Sequence, residues 1–349
     1  MTKTNFIKTE GRVSVSAPSN IAIVKYWGKK DIQIPENPSI SFSLNNAITQ
    51  TSIQYKRIPL QDTFSYDFAF ENITNKAFEK KLVTFFNRIE NKLPWLKSFY
   101  LNIQSSNTFP HSSGIASSAS SYAALAIALA KIHTQITAEK LSIPIISEMA
   151  RLGSGSACRS VYGAWNTWGE TPIINGSSNK YAQPLKTKIH PNFQNIHDSI
   201  LLVSKKEKSV SSSVGHQLME NHPYKEGRIR QAHANMKLIT EAIEQGNWTS
   251  FTEITELEAL SLHGLMMSST PSYCLLEPNS LAIINKIRDF RKETNIDLCF
   301  TIDAGPNIHV LYPESNKKQV QEFIDGDLGK FCSDNTAIHD YIGLGPKIN

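Results

Sequence analysis

Two short loops rich in glycine and serine constrain this chain more than any other feature, because each adjoins a stretch with the composition of a helix. The first reads Gly153-Ser-Gly-Ser-Ala-Cys-Arg-Ser-Val-Tyr-Gly163. Gly153 and Gly155 alternate with Ser154 and Ser156, and Arg159 follows within one helical turn. Glycine lets a backbone approach a ligand closely. Hydroxyls and N–H groups at a helix start favour an anion, and an arginine fork matches a carboxylate or a phosphate. The second loop, residues 110–121, holds six serines and runs straight into Tyr122-Ala-Ala-Leu-Ala-Ile-Ala-Leu-Ala-Lys131. That run is made of strong helix formers. One helix cap needs one serine, with Ser117, Ser118 or Ser120 in place for it, so the surplus points to an anion held at the helix start. No Gly-x-x-x-x-Gly-Lys-Ser/Thr loop occurs. Two anion-binding loops in one chain suggest a nucleotide and a second charged substrate.

Bulk properties narrow the class. A length of 349 residues suggests two domains or one with two lobes. The formal charge is +5, but the basic pairs Lys205-Lys206 and Lys317-Lys318 stand alone, so no nucleic-acid partner is expected. The four cysteines include no Cys-x-x-Cys pair, which argues against a zinc cluster. The N-terminus lacks an apolar signal core, and the alanine-rich run at 122–132 is too short to cross a bilayer. A cytoplasmic protein with reduced thiols, away from membranes, is the expectation.

Strands and helices alternate along the chain. Residues 12–16 and 21–26 read as extended, and 39–56 as a hairpin turning at Asn45-Asn46. Helical spacing covers 76–91, and a strand is expected at 99–104 before the serine loop. Pro144 opens a helix over 144–152. Polar residues around 190–198 mark a lobe boundary, giving lobes of 1–195 and 196–349. Beyond it, 199–204 reads as a strand, 226–246, 248–266 and 279–294 as helices, and 297–302 and 307–312 as strands around Asp303-Ala-Gly-Pro306.

Two further motifs carry charge. In Ala17-Pro-Ser-Asn-Ile-Ala-Ile-Val-Lys-Tyr-Trp-Gly-Lys29, the lysines Lys25 and Lys29 flank an aromatic pair. Strand alternation puts both on one face, either toward solvent or toward anionic partners, since an unpaired buried charge is costly. Asp303 ends an apolar strand, where an aspartate serves as a turn residue or presents a carboxylate.

Together the four segments resemble the diphosphomevalonate decarboxylase branch of the family of galactose, homoserine, mevalonate and phosphomevalonate kinases. The likeness runs from about Val13 to Ile342-Gly-Leu-Gly-Pro346. It implies an α/β (α+β) fold of two lobes, the first like the second domain of ribosomal protein S5 and the second ferredoxin-like. It implies ATP-dependent decarboxylation of (R)-5-diphosphomevalonate to isopentenyl diphosphate, with Mg²⁺ as cofactor and a homodimer as the assembly. Carried over by motif, the catalytic residues would be Asp303, Lys25 and Arg159. Asp303 would take the proton of the tertiary hydroxyl, Lys25 would keep Asp303 ionised, and Arg159 would hold the substrate carboxylate. Tyr26, Trp27, Gly28, Lys29, Ser154, Gly155, Ser156, Ala157 and Cys158 would contact substrate, as would Ser213 of the hydroxyl run Ser211-Ser212-Ser213. Ser113, Gly114, Ile115, Ala116, Ser117 and Ser118 would cradle ATP, with Ser118 beside the Mg²⁺.

The chain departs from the family pattern at His111-Ser112-Ser113 and at Ile115, both in the nucleotide loop. Many relatives carry an arginine before the third helix to reach the diphosphate, and the nearest basic residue here is Lys76. A kinase that stops at the phosphate ester, a decarboxylase of the 5-monophosphate and a binding protein on the same fold remain alternatives. The ten histidines form no ligand pair in sequence and read as structural or surface residues.

Overall fold

The apolar residues expected to form two separate extended runs at the N-terminus form one strand, β1 (Glu10–Val24). In the computed structural model, residues 6–73, 76–110, 115–206, 210–335 and 337–349 are described. After β1 come β2 (Ser39–Arg57), β3 (Ser65–Phe70), α1 (Lys76–Ile89), β4 (Phe99–Asn107), α2 (Ser117–Thr137), α3 (Ile143–Gly153) and β5 (Trp165–Trp168). The second half holds β6 (Ile196–Leu201), α4 (Ser212–Gln217), α5 (Lys225–Gln245), α6 (Trp248–Met267), α7 (Pro278–Thr294), β7 (Cys299–Thr301), β8 (Ile308–Pro313), β9 (Ala337–Tyr341) and β10 (Lys347–Ile348).

The larger sheet runs β10–β1–β2–β4–β3, with β5 on the first half of β2. Only β3 and β4 pair in parallel among these neighbours. The middle of α2, Ala123 to Ala130, is apolar on every face and is buried on every face. The smaller sheet, β7–β8–β6–β9, is antiparallel throughout. Numbered within its lobe, that order is 4-1-3-2, the ferredoxin-like arrangement. The fold class implied by the sequence is therefore the observed one. The last strand does not stay in its lobe: β10 returns to pair with β1, Val15 opposite Ile348.

The predicted hairpin does not form. β2 is one strand that pairs with β1 in two blocks, 40–43 and 48–56, either side of a register shift between Pro18 and Asn20. The Asn45-Asn46 signal marks that irregularity rather than a turn. Backbone N–H groups left without a β1 partner there are collected by Asp340, buried at the end of β9. Its Oδ1 accepts from Asn45 at 3.1 Å and Asn46 at 2.9 Å, and its Oδ2 accepts from Ala47 at 2.7 Å. Burial raises the carboxyl's pKa, against the backbone donors that lower it.

The lobes also share an apolar cluster. Ile21, Ile23, Ile40 and Phe42 of the larger sheet pack with Ile196, Ile200, Met236, Ile239 and Phe251 of the second half. The polarity around 190–198 was therefore a poor guide to exposure. His197 and Asp198 are buried in β6, and Asp198 pairs with His309 at 2.8 Å. No helix among the described residues is long and apolar enough to cross a membrane.

Asp340→Ala strips an acceptor from a set of strand N–H groups. It should lower the free energy of unfolding by about 2 kcal/mol, read as a lower urea midpoint at unchanged slope. An unchanged midpoint would mean that water satisfies the bulge unaided.

Candidate active site

The ends of β1 and β7 approach each other across the lobes, and their polar residues meet in a cavity of about 370 Å³. Among the described residues, five side-chain cations line it, Lys25, Lys29, Lys81, Arg88 and Arg159, against a single carboxylate, Asp303. Such an excess in a concave site needs an anion, and more than one unit of charge.

Lys25 follows the last residue of β1 and is 2% exposed. Its Nζ lies 2.7 Å from Asp303 Oδ1, so the alternative of a solvent-facing lysine is excluded. The Asp303 carboxyl is 24% exposed, toward the cavity. Burial pushes its pKa up, but Lys25, His309 and Arg159 together outweigh burial and leave it below the usual carboxylate range. His263 of α6 meets the Asp303 main-chain carbonyl at 3.1 Å.

Arg159 is 3% exposed and is held by the protein on one side. Its Nε donates to Asn20 Oδ1 at 2.9 Å and its Nη1 to Ser39 Oγ at 2.6 Å. A guanidinium has five N–H donors, so these bonds spend two and orient the rest. Asn20, which the sequence did not single out, is fixed in turn by Ser160 Oγ at 2.7 Å.

The two loops converge. Gly155–Val161 is a 3₁₀ turn after α3, and Ser118 sits at the start of α2. Ser118 Oγ and Ser154 Oγ are 3.2 Å apart. The α2 start has Ala116 at its cap position, with φ of 45° and no capping side chain, not one of the serines. Gly153 and Gly155 both line the cavity, and packing gives a second reason for them. A methyl group on Gly153 would overlap the Tyr122 ring, and one on Gly155 would press on the Tyr26 hydroxyl and Trp168.

Tyr26, Trp27, Lys29, Ser154, Gly155, Ser156, Ser118, Ala116 and Ser213 line the cavity with the three charged residues. Others lie elsewhere. Ala157 and Cys158 are fully buried behind the turn, and burial pushes the Cys158 thiol up to about 12. Ile115 is a core residue whose carbonyl accepts from Ser19. Ser117 accepts from Asn107 Nδ2 at 2.8 Å and lines a neighbouring, more apolar cavity of about 180 Å³. Gly28, with φ of 90°, turns its N–H onto His216. Ser113 and Gly114 lie outside the described residues. The Lys76 side chain lies outside the described residues, and α1 contributes Lys81 and Arg88 to the wall.

His216 of α4 was missed because nothing in its sequence context ties it to the Tyr26-Trp27 segment. Its ring lies against Tyr26 and Trp27, with centroids 4.4 and 4.5 Å away, and its Nδ1 accepts the Gly28 N–H at 3.0 Å. Burial, then the nearby Lys29, pushes its pKa down to about 3. A neutral imidazole whose Nδ1 accepts must carry its proton on Nε2. Two further groups are short of compensation: Lys29, whose Nζ donates to the neutral Gln33 Oε1 at 3.3 Å, and Tyr26. The Lys29 pKa is lowered by burial and by Arg88. The Tyr26 hydroxyl is buried with no hydrogen-bond partner. Both are relieved by a bound anion. No group of three or more His, Cys, Asp or Glu that could hold a metal occurs among the described residues. Mg²⁺ commonly binds through phosphate oxygens with few protein ligands, and the Ser118 hydroxyl lines this cavity.

Residues 17–182 match the diphosphomevalonate decarboxylase-like N-terminal domain, and residues 199–342 match the mevalonate 5-diphosphate decarboxylase C-terminal domain. The diphosphomevalonate decarboxylases of Debaryomyces hansenii and Saccharomyces cerevisiae are both 32% identical to the chain. Those alignments cover 88% and 89% of this chain and 81% and 80% of theirs. The chain belongs to the diphosphomevalonate decarboxylase family. Solved members of the family share its architecture. The mevalonate diphosphate decarboxylase of Staphylococcus aureus aligns with a TM-score of 0.83 at 28% identity, over 97% of this chain and 98% of that one. A structure of MDDEF in complex with MVAPP, AMPPCP and magnesium aligns with a TM-score of 0.82 at 28% identity, over the same shares.

A neutral His216 is directly measurable. Its ring resonances should not titrate between pH 5 and 8, and Nε2 should carry the proton throughout. A midpoint near the ordinary imidazole value of about 6.5 would overturn this assignment.

Proposed function

We propose that this protein catalyses the ATP-dependent decarboxylation of (R)-5-diphosphomevalonate to isopentenyl diphosphate, releasing ADP, phosphate and carbon dioxide, in the mevalonate pathway of isoprenoid biosynthesis. The observation that carries this reading is one cavity uniting the Lys25–Asp303 pair, an anchored Arg159 and the serine junction at the start of α2. Family membership supports it, as does the related structure with MVAPP, AMPPCP and magnesium.

Asp303, held ionised, accepts the proton of the C3 hydroxyl as that oxygen attacks the γ-phosphorus. Lys25 stays against the same carboxylate and offsets charge on the oxygen. Arg159 holds the substrate carboxylate with the donors that Asn20 and Ser39 leave over. Phosphate then departs from a tertiary carbon, and loss of carbon dioxide quenches the positive charge left there. Tyr26, Lys29, Ser154, Ser156, Ser213 and Arg88 grip the diphosphate end. With Lys25 committed to Asp303 and Arg159 to the carboxylate, Lys29, Lys81 and Arg88 remain, more than one phosphate group needs, which favours a diphosphate over a monophosphate substrate. Ser118 and the uncapped α2 start face the nucleotide phosphates, and the neighbouring apolar cavity accommodates the adenine. Mg²⁺ on those phosphates neutralises charge as the phosphoryl group moves. The chain works as a homodimer, the commonest assembly for such enzymes, in the cytoplasm. Its lobes divide at 195/196, within the stretch that the two matched family domains leave between them.

Incubation with ATP, Mg²⁺ and mevalonate, its 5-phosphate or its 5-diphosphate in separate reactions tests the whole reading. One ADP, one phosphate and one carbon dioxide should appear per diphosphate consumed. ADP alone would make the protein a kinase, and turnover only with the 5-phosphate would change the substrate. Asp303→Asn should lower turnover by about 10²–10⁴-fold while both ligands still bind. Arg159→Lys should lower kcat, because lysine cannot form the planar fork. Unchanged kinetics in either variant would remove that residue from the chemistry.

A further inference from the structure

Both main-chain groups of Lys25 are gripped by side chains that never reach the cavity. The Lys25 N–H donates to Glu258 Oε2 at 2.8 Å. The Lys25 carbonyl accepts from Arg228 Nη2 at 3.0 Å and from Asn37 Nδ2 at 2.9 Å. Arg228 of α5 and Glu258 of α6 form a two-pronged ion pair, with bonds of 2.7 and 2.6 Å. Asn235 adds a donor to Glu258 Oε1 at 2.6 Å. Four donors thus saturate a carboxylate that is 0% exposed. Arg228 is 2% exposed, and its Nε has no hydrogen-bond partner.

A buried ion pair of this kind is a poor way to gain stability. Apolar residues of similar volume are often as good or better, whereas removing one partner alone is costly. The orphaned Nε adds to the expense. What the pair does specifically is fix one peptide segment, the residue whose Nζ touches Asp303, from helices of the opposite lobe. We propose that Arg228 and Glu258 are positioning residues that clamp the Lys25 main chain so that its ammonium is held in register with Asp303 during phosphoryl transfer. This rests on the decarboxylase reading for the identity of the reaction, but the geometry it asserts does not.

The test removes the clamp without leaving a lone charge. Arg228→Met combined with Glu258→Leu should fold. It should lower kcat about 10- to 100-fold, the scale of a 1 Å misplacement, with KM for ATP and for 5-diphosphomevalonate within threefold of wild type. If that pair of changes prevents folding, Glu258→Gln, which keeps an oxygen for the Lys25 N–H, should give a smaller loss of the same kind. A structural role would also slow the enzyme, so two further readouts are needed. In a Lys25→Ala background the clamp changes should cost nothing more, because their effect passes through that residue. Additive losses would overturn the proposal, as would wild-type kcat in the folded double variant. The second readout needs no turnover. The Asp303 carboxyl, followed by carbon-13 NMR, should titrate higher in the clamp variant than in wild type. Arg159 and His309 still act on it there and His263 still meets the main-chain carbonyl of Asp303, while Lys25 no longer stays in contact. An unmoved midpoint would overturn the clamp whatever the substrate proves to be. Wild-type protein inert toward 5-diphosphomevalonate, with the midpoint still shifted, would overturn the reaction and leave the clamp standing.

Discussion

The Lys25–Asp303 ion pair is the contact on which the site depends. It joins the end of a first-lobe strand to a second-lobe turn across 2.7 Å. A lysine this buried needs an opposite charge, and a carboxylate this desolvated needs a cation to stay ionised. Lys25 thereby helps keep Asp303 ionised, and their contact ties the two lobes together at this point. The shared apolar cluster beneath and the Asp340 bridge at the far end hold the same interface by other means.

Around that pair the electrostatics are deliberately unbalanced. Among the described residues, Lys29, Lys81, Arg88 and Arg159 have no carboxylate in the cavity besides Asp303. Burial lowers the Lys29 and Arg159 pKa values, with Arg88 adding to the effect on Lys29 and Asp303 opposing it on Arg159, so the protein leaves the charged forms short of full compensation. A polyanion supplies it. His216 fits the same logic from the opposite side: a neutral ring between two aromatics adds a donor without adding to the repulsion.

Local signals in the sequence were sound where one residue type had one physical use. The alanine run could only be a buried helix, and Pro144 near the start of α3 could only open one. Signals with two uses left the choice open. Asn-Asn suits a hairpin turn and also a strand bulge, and the choice was made by Asp340, nearly three hundred residues away. Glycines at 153 and 155 suit a ligand or a neighbouring ring, and both uses meet there, a cavity wall backed by rings. Ala157, Cys158 and Ile115 share motifs with cavity residues, but a motif does not say which side of a turn faces the ligand.

What the sequence by itself determined is the inventory: the charged and hydroxyl residues capable of this chemistry, the helix and strand order, and the motifs of the family. Those follow from local propensity and composition. The tertiary structure alone decided which of them share a cavity, which donors of Arg159 remain for a ligand, and which nitrogen of His216 bears the proton. It also decided that Arg228 and Glu258 serve Lys25. These are facts of distance and burial between residues far apart in the chain, and no local pattern encodes them.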